Sequence, residues 1–142
     1  MLYSIQNITL LSDPYSFYDN EDIAKKTVLI LLNATSTLSA KFALEKWHEK
    51  KYNCKLDFAP IIFAAKQWHT PIADCFGSGI GVKLQNYDAK IAVDVVSHFT
   101  AKGIACLPIH DSFIIDKSYK FELREVMIFH YQKFFGSEIK VH

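Results

Sequence analysis

From about Asp19 the apolar positions mark a succession of helices, and the pattern changes to short strand-like runs after Gly103. Asp19 and Asn20 can each cap free N–H groups, and Glu21 and Asp22 suit the positive end of a helix dipole, so a helix is predicted from there to about Ala34. Its middle, TVLILL (27–32), is apolar all round, the mark of a helix buried on most sides. A second helix is predicted over residues 38–51, where Lys41 and Glu45 stand at i,i+4 and Leu38, Phe42, Glu45 and Trp47 outline a mixed face. KKYNCKLD (50–57) reads as a loop. Pro60 suits the first turn of a third helix ending near His69, because its missing N–H would be unpaired there anyway, and Thr70-Pro71 restarts a short helix in the same way.

FGSGIGVKLQ (76–85) holds Gly77, Gly79 and Gly81, but no GKS or GKT follows and the GxGxxG spacing is absent, so it reads as a flexible helix–helix connection rather than a phosphate loop. The next helix carries Leu84, Asp88, Ile91, Val95 and His98/Phe99 on one face and stops at Gly103. IACLPIH (104–110) and SFIIDK (112–117) then predict a tight antiparallel hairpin with Asp111 at or beside its tip. Ser118 opens an amphipathic helix to Phe135 with Gly136 as its stop, and EIKV (138–141) is a last short strand that can close the sheet. The fold class expected is α+β, mainly helical, with a small antiparallel sheet built on the hairpin that carries His110 and Asp111.

The length, 142 residues, fits one ordinary domain. Half of the residues are apolar, which excludes a disordered or low-complexity chain. A formal charge of +1 argues against binding nucleic acid by bulk electrostatics, yet residues 25–66 hold eight lysines against three acids while the remainder is acidic. One segment is therefore suited to an anion. Cys54, Cys75 and Cys106 are too few and too widely spaced for a disulfide framework or a CxxC zinc site, and no signal-peptide pattern or membrane-spanning stretch is read, so a cytoplasmic protein with no membrane partner is expected.

Three motifs in order carry a resemblance: KKTVLILLNA (25–34), PIADCFGSGIGVKLQNYD (71–88) and LPIHDSF (107–113). With LSDPYS (11–16) they resemble the palm-and-fingers region of the single-subunit phage-type RNA polymerases and A-family DNA polymerases, and are most similar to uncharacterised plasmid- and phage-borne polymerase-like proteins. The resemblance implies a fingers-like part at about 19–70 and a palm-like helix–hairpin–helix part at about 71–142 of one domain. It implies Asp111 as the ligand of Mg²⁺ or Mn²⁺, with His110 beside it in the catalytic motif. Ser112, Gln85 and Asp88 would support it, and Lys25, Lys26 and Asn33 would contact the nucleotide. Nucleic acid and nucleotide are the implied partners.

Nucleotidyl transfer of this kind clamps two metal ions about 3.5–4 Å apart with acids from two motifs. By the resemblance the first of those motifs would end just before Met1, so the expectation is a truncated polymerase-like protein, inactive alone, whose missing acid a second chain would have to supply. Asp13 and Asp19 are no substitutes; Asp19 is better explained as a helix cap. Glu21 stands where the family has an arginine and would repel a triphosphate. Each motif has a plainer reading: solvated charges for Lys25 and Lys26, a cap for Asn33, capping and solvation for Gln85 and Asp88, and satisfied or surface side chains for His69, His98 and His130. Rival functions are a phosphohydrolase built on His110-Asp111, the product of a decayed gene, and a non-catalytic module that holds single-stranded nucleic acid with Lys50, Lys51 and the rings of Trp47, Tyr52 and Trp68.

Overall fold

The protein is described from a computed structural model covering residues 13–110 and 112–136. Its elements run α1 (Glu21–Asn33), α2 (Thr37–Tyr52), α3 (Ala59–Trp68), a 3-10 segment (Thr70–Cys75), α4 (Ile80–Thr100), β1 (Cys106–Ile109), β2 (Ser112–Ile115), a 3-10 turn (Lys117–Tyr119) and α5 (Lys120–Phe135). This is a mainly helical α+β fold with a two-stranded antiparallel sheet. The described chain divides into two compact units between Lys83 and Leu84, a boundary that α4 passes through. The expected strand at 138–141, the start of the LSDPYS segment and Asp111 lie outside the described residues.

In the first unit α1 is capped by Asn20, whose Oδ1 accepts from the Ile23 N–H at 3.1 Å; the cap is therefore Asn20 rather than Asp19. Ala24, Thr27 and Leu31 are fully buried, and the Thr27 hydroxyl is satisfied by donating to the Ile23 carbonyl at 2.8 Å. Leu29 is 53% exposed, so the TVLILL run is buried on one side only. A capping box between Ser36 and Ser39 starts α2. The face that α2 buries is Ala40, Leu44 and His48, spaced four apart, and Leu38 and Phe42 point outward. This reverses the mixed face read from hydropathy. Small Ala40 brings the helix close to its neighbours, and His48 is admitted because its Nδ1 lies 3.1 Å from the Cys54 carbonyl. Pro60 sits in the first turn of α3, whose Ile61, Ile62 and Ala65 complete this core with Phe58, Ile72 and Phe76.

The glycine-rich stretch is a docking segment rather than a flexible connection. The Gly77 N–H donates to the Leu31 carbonyl at 2.7 Å and the Gly79 N–H to the Ala34 carbonyl at 2.8 Å. Leu31 belongs to the last turn of α1, whose carbonyls have no partner within the helix. A β-carbon on Gly77 would stand 2.7 Å from the Thr37 nitrogen and 2.8 Å from the Ser36 carbonyl carbon, so only glycine allows the approach. By Ile80 the chain is already helical, within the stretch 76–85 that reads as a connection.

The second unit packs Val95 and Phe99 of α4, Cys106 of β1 and Val126 of α5 into a core, flanked by Ile91, Ile104, Phe113, Ile115 and Leu123. α4 ends in a Schellman motif: Gly103 in the left-handed region donates to the Thr100 carbonyl at 2.9 Å, and the Ile104 N–H to the Phe99 carbonyl at 3.0 Å. The register pairs Cys106 with Ile115, Leu107 with Ile114, Pro108 with Phe113 and Ile109 with Ser112. Period-2 alternation puts Cys106, Phe113 and Ile115 toward the core and leaves Leu107, Ile109 and Ile114 exposed. Among the described residues no helix is long and apolar enough to cross a membrane.

Candidate functional site

The register closes the hairpin at the pair Ile109 and Ser112, and His110 follows β1 at its end. His110 has φ +52 and an exposed side chain. A left-handed conformation costs a non-glycine residue about 1–2 kcal/mol, and histidine is among the types that tolerate it. Ser112 is exposed at the start of β2, and Gln85 and Asp88 are exposed one turn apart on α4. Asp111 lies outside the described residues. Among the described residues no group of three or more His, Cys, Asp or Glu side chains is arranged to hold a metal ion. A hard divalent cation wants several oxygen ligands, and the described residues do not assemble them.

Lys25, Lys26 and Asn33 belong to the first unit, and Gln85, Asp88, His110 and Ser112 to the second. On α1, Lys25 pairs with Glu21 at 2.5 Å and its ammonium lies 5.4 Å from the centroid of the Tyr15 ring. The hydrogen bond to Glu21 holds its pKa above the ordinary lysine value. Lys26 stands 5.8 Å from the Trp47 centroid. The exposed Asn33 amide is engaged locally: Nδ2 donates to the Leu29 carbonyl at 2.8 Å, and a β-carbon on Gly81 would come within 2.2 Å of its Oδ1. The C-cap of α1 is Ala34.

Tyr15 is placed by a turn anchored on α3. The Asp13 carboxylate accepts from the Tyr15 N–H at 2.9 Å, the Trp68 indole N–H donates to the Asp13 carbonyl at 3.2 Å, and His69 Nε2 lies 2.8 Å from the Pro14 carbonyl. His69 is 2% exposed, with edge contacts to Phe17 and Phe76. Burial pulls its pKa below the usual histidine value, opposed by the Pro14 carbonyl. In the second unit, His98 Nε2 lies 2.7 Å from Glu122 Oε1, which Lys102 also contacts, and His130 Nδ1 lies 3.3 Å from Asp94 Oδ2 without hydrogen-bond alignment. Lys102 first and His98 second hold the Glu122 carboxyl below its ordinary value. The three histidines thus face three different neighbours, His98 and His130 from helices and His69 from the turn that follows α3.

A further group gathers where α1 meets the end of α2. The Asp22 carboxylate accepts from Lys51 and from the Tyr52 hydroxyl, the latter at 2.9 Å, and these bonds hold its pKa below the ordinary value, Lys51 contributing most. The Trp47 and Tyr52 rings meet edge to face at 6.0 Å, and the Lys51 ammonium lies 5.3 Å from one centroid and 5.2 Å from the other. Trp47, Lys51 and Tyr52 are legible as a basic-aromatic cluster on one helix. Asp22 and Lys26 were not, since their partners are 21 to 30 residues away. Searched against protein-family models, curated proteins and solved structures, the chain matches none.

Proposed function

We propose that the chain carries fingers-like and palm-like parts of a nucleotidyltransferase of the phage-type polymerase class and is inactive without a carboxylate supplied from outside these residues. The observation that supports this reading most is the order helix, tight hairpin, helix around a left-handed His110, with both helices packed on the strands through Val95, Phe99, Cys106 and Val126. A side chain held at positive φ where glycine would be unstrained supports a role for that side chain. In this reading Asp111 holds Mg²⁺ or Mn²⁺, His110 and Ser112 orient it, Gln85 and Asp88 support the hairpin side, and Lys25 and Lys26 meet nucleotide phosphates. Asn33 acts by fixing the end of α1 against Gly81. Glu21 opposes the nucleotide, because a phosphate must displace it from Lys25.

Two measurements test the reading. Mn²⁺ titration is expected to broaden the His110 and Ser112 resonances, and Asp111→Ala is expected to abolish the effect. Primer extension with Mg²⁺ or Mn²⁺ is expected to show no incorporation by the chain alone; robust incorporation that survives Asp111→Ala refutes the role of that residue.

A further inference from the structure

The geometry points to a binding surface for single-stranded nucleic acid on the α1–α2 face, built from Lys26, Trp47, Lys50, Lys51 and Tyr52 and restrained by Asp22. It is separate from the hairpin and does not rest on the nucleotidyl-transfer reading. Two ammoniums, of Lys26 and Lys51, stand over the one Trp47 ring, and they come from different helices. Trp47, Lys50 and Lys51 are neighbours at i+3 and i+4, and Lys46 precedes Lys50 by one turn. Lys46 and Lys50 are exposed and have no ion-pair partner among the described residues.

The rings are held in place before any ligand arrives. Tyr52 is the last residue of α2, ahead of left-handed Asn53. It is tied to Asp22 by its hydroxyl, tilted onto buried His48 at 4.7 Å and set edge-on to Trp47. A preset aromatic with mobile cations over it suits a strand that offers a π-face and a phosphate in every nucleotide. A base takes the ring, and the displaced ammonium moves to the adjoining phosphate. Asp22 sets the strength of the surface, because Lys51 must leave its carboxylate to meet that phosphate.

The test is fluorescence anisotropy of the full chain with fluorescein-labelled dT20 at low and rising salt. Three lysines that form no ion pair among the described residues (Lys26, Lys46 and Lys50) give an expected slope of log affinity on log salt of about −2, and Lys50→Ala should make it shallower by about 0.7. Trp47→Ala is expected to lose about tenfold in affinity while Trp47→Phe, which keeps a ring in the same packing, retains most of it. Asp22→Asn is expected to bind severalfold tighter. Polyphosphate, an anionic chain without bases, should bind at least about tenfold more weakly than dT20. Equal binding of polyphosphate, wild-type affinity in a folded Trp47→Ala, or no binding of dT20 at low salt overturns the proposal. So does loss of binding on Asp111→Ala or with EDTA, which would move the site to the hairpin; their indifference separates this surface from the proposed catalytic motif.

Discussion

Gly81 and Asn33 form a contact whose energy can be worked out from their geometry. Gly81 is buried in the first turns of α4, where alanine would ordinarily be favoured by about 1 kcal/mol because glycine gives up more backbone entropy in a helix. Here the new β-carbon would lie 2.2 Å from Asn33 Oδ1 and 2.8 Å from its Cγ, far inside contact distance. The crowded atoms are the far end of an exposed, flexible side chain, so Asn33 can swing into solvent, giving up its bond to the Leu29 carbonyl at a cost of about 1 kcal/mol. Gly81→Ala should therefore leave the first unit within about 0.5 kcal/mol of wild type, the lost bond offsetting the helix gain. In an Asn33→Ala background there is no bond to lose, and the same change should stabilise by about 1 kcal/mol, a coupling of about 1 kcal/mol. The chain has two tryptophans, Trp47 and Trp68, and both belong to the first unit, so urea unfolding followed by tryptophan fluorescence reads this unit. A Gly81→Ala protein about 1 kcal/mol more stable than wild type, or effects that simply add in the double variant, would refute the contact.

The other glycines form a graded series. Gly77→Ala meets backbone at 2.7 Å on top of its positive φ and should cost about 2–5 kcal/mol by the same urea assay. Gly103→Ala, with open space around it, should cost only the conformational strain of about 1 kcal/mol, read by circular dichroism. His110→Gly should stabilise the second unit by about 1 kcal/mol in a thermal melt by relieving φ +52, and should abolish any function of the imidazole. His69 is held neutral by burial, so its folded pKa lies below the unfolded value near 6.5. The stability it contributes is complete above that value and is lost as pH falls through it toward the folded pKa, because the unfolded chain takes up the proton first. Urea midpoints should fall on acidification through this range, and His69→Gln should flatten that dependence; a slope unchanged by the substitution would show that another group carries it.

The histidines show how far pattern reading reaches into the site. That His69, His98 and His130 serve different neighbours follows from their wide separation along the chain, but which neighbour each one meets does not. His69 reaches the Pro14 carbonyl 55 residues away and His98 reaches Glu122 24 residues away. Asn33 is similar. As a polar residue at the end of an apolar helix it reads equally as a cap or a ligand, and its packing against Gly81 is decided by where α4 begins.

By itself the sequence determined where elements start, stop and turn: a cap lies within Asp19-Asn20, Pro60 opens a helix, Gly103 and Gly136 end two, and the change of period after Gly103 marks the hairpin. These signals act over three or four residues, so they survive without knowledge of the neighbours. Only the tertiary structure decided which face of α2 is buried, why three glycines stand in FGSGIG, and that Asp22 binds Lys51 and Tyr52. The physical reason is common to all three. A helix end leaves carbonyls unsatisfied and a lysine leaves a charge unpaired, but what satisfies them is whatever the fold brings into reach.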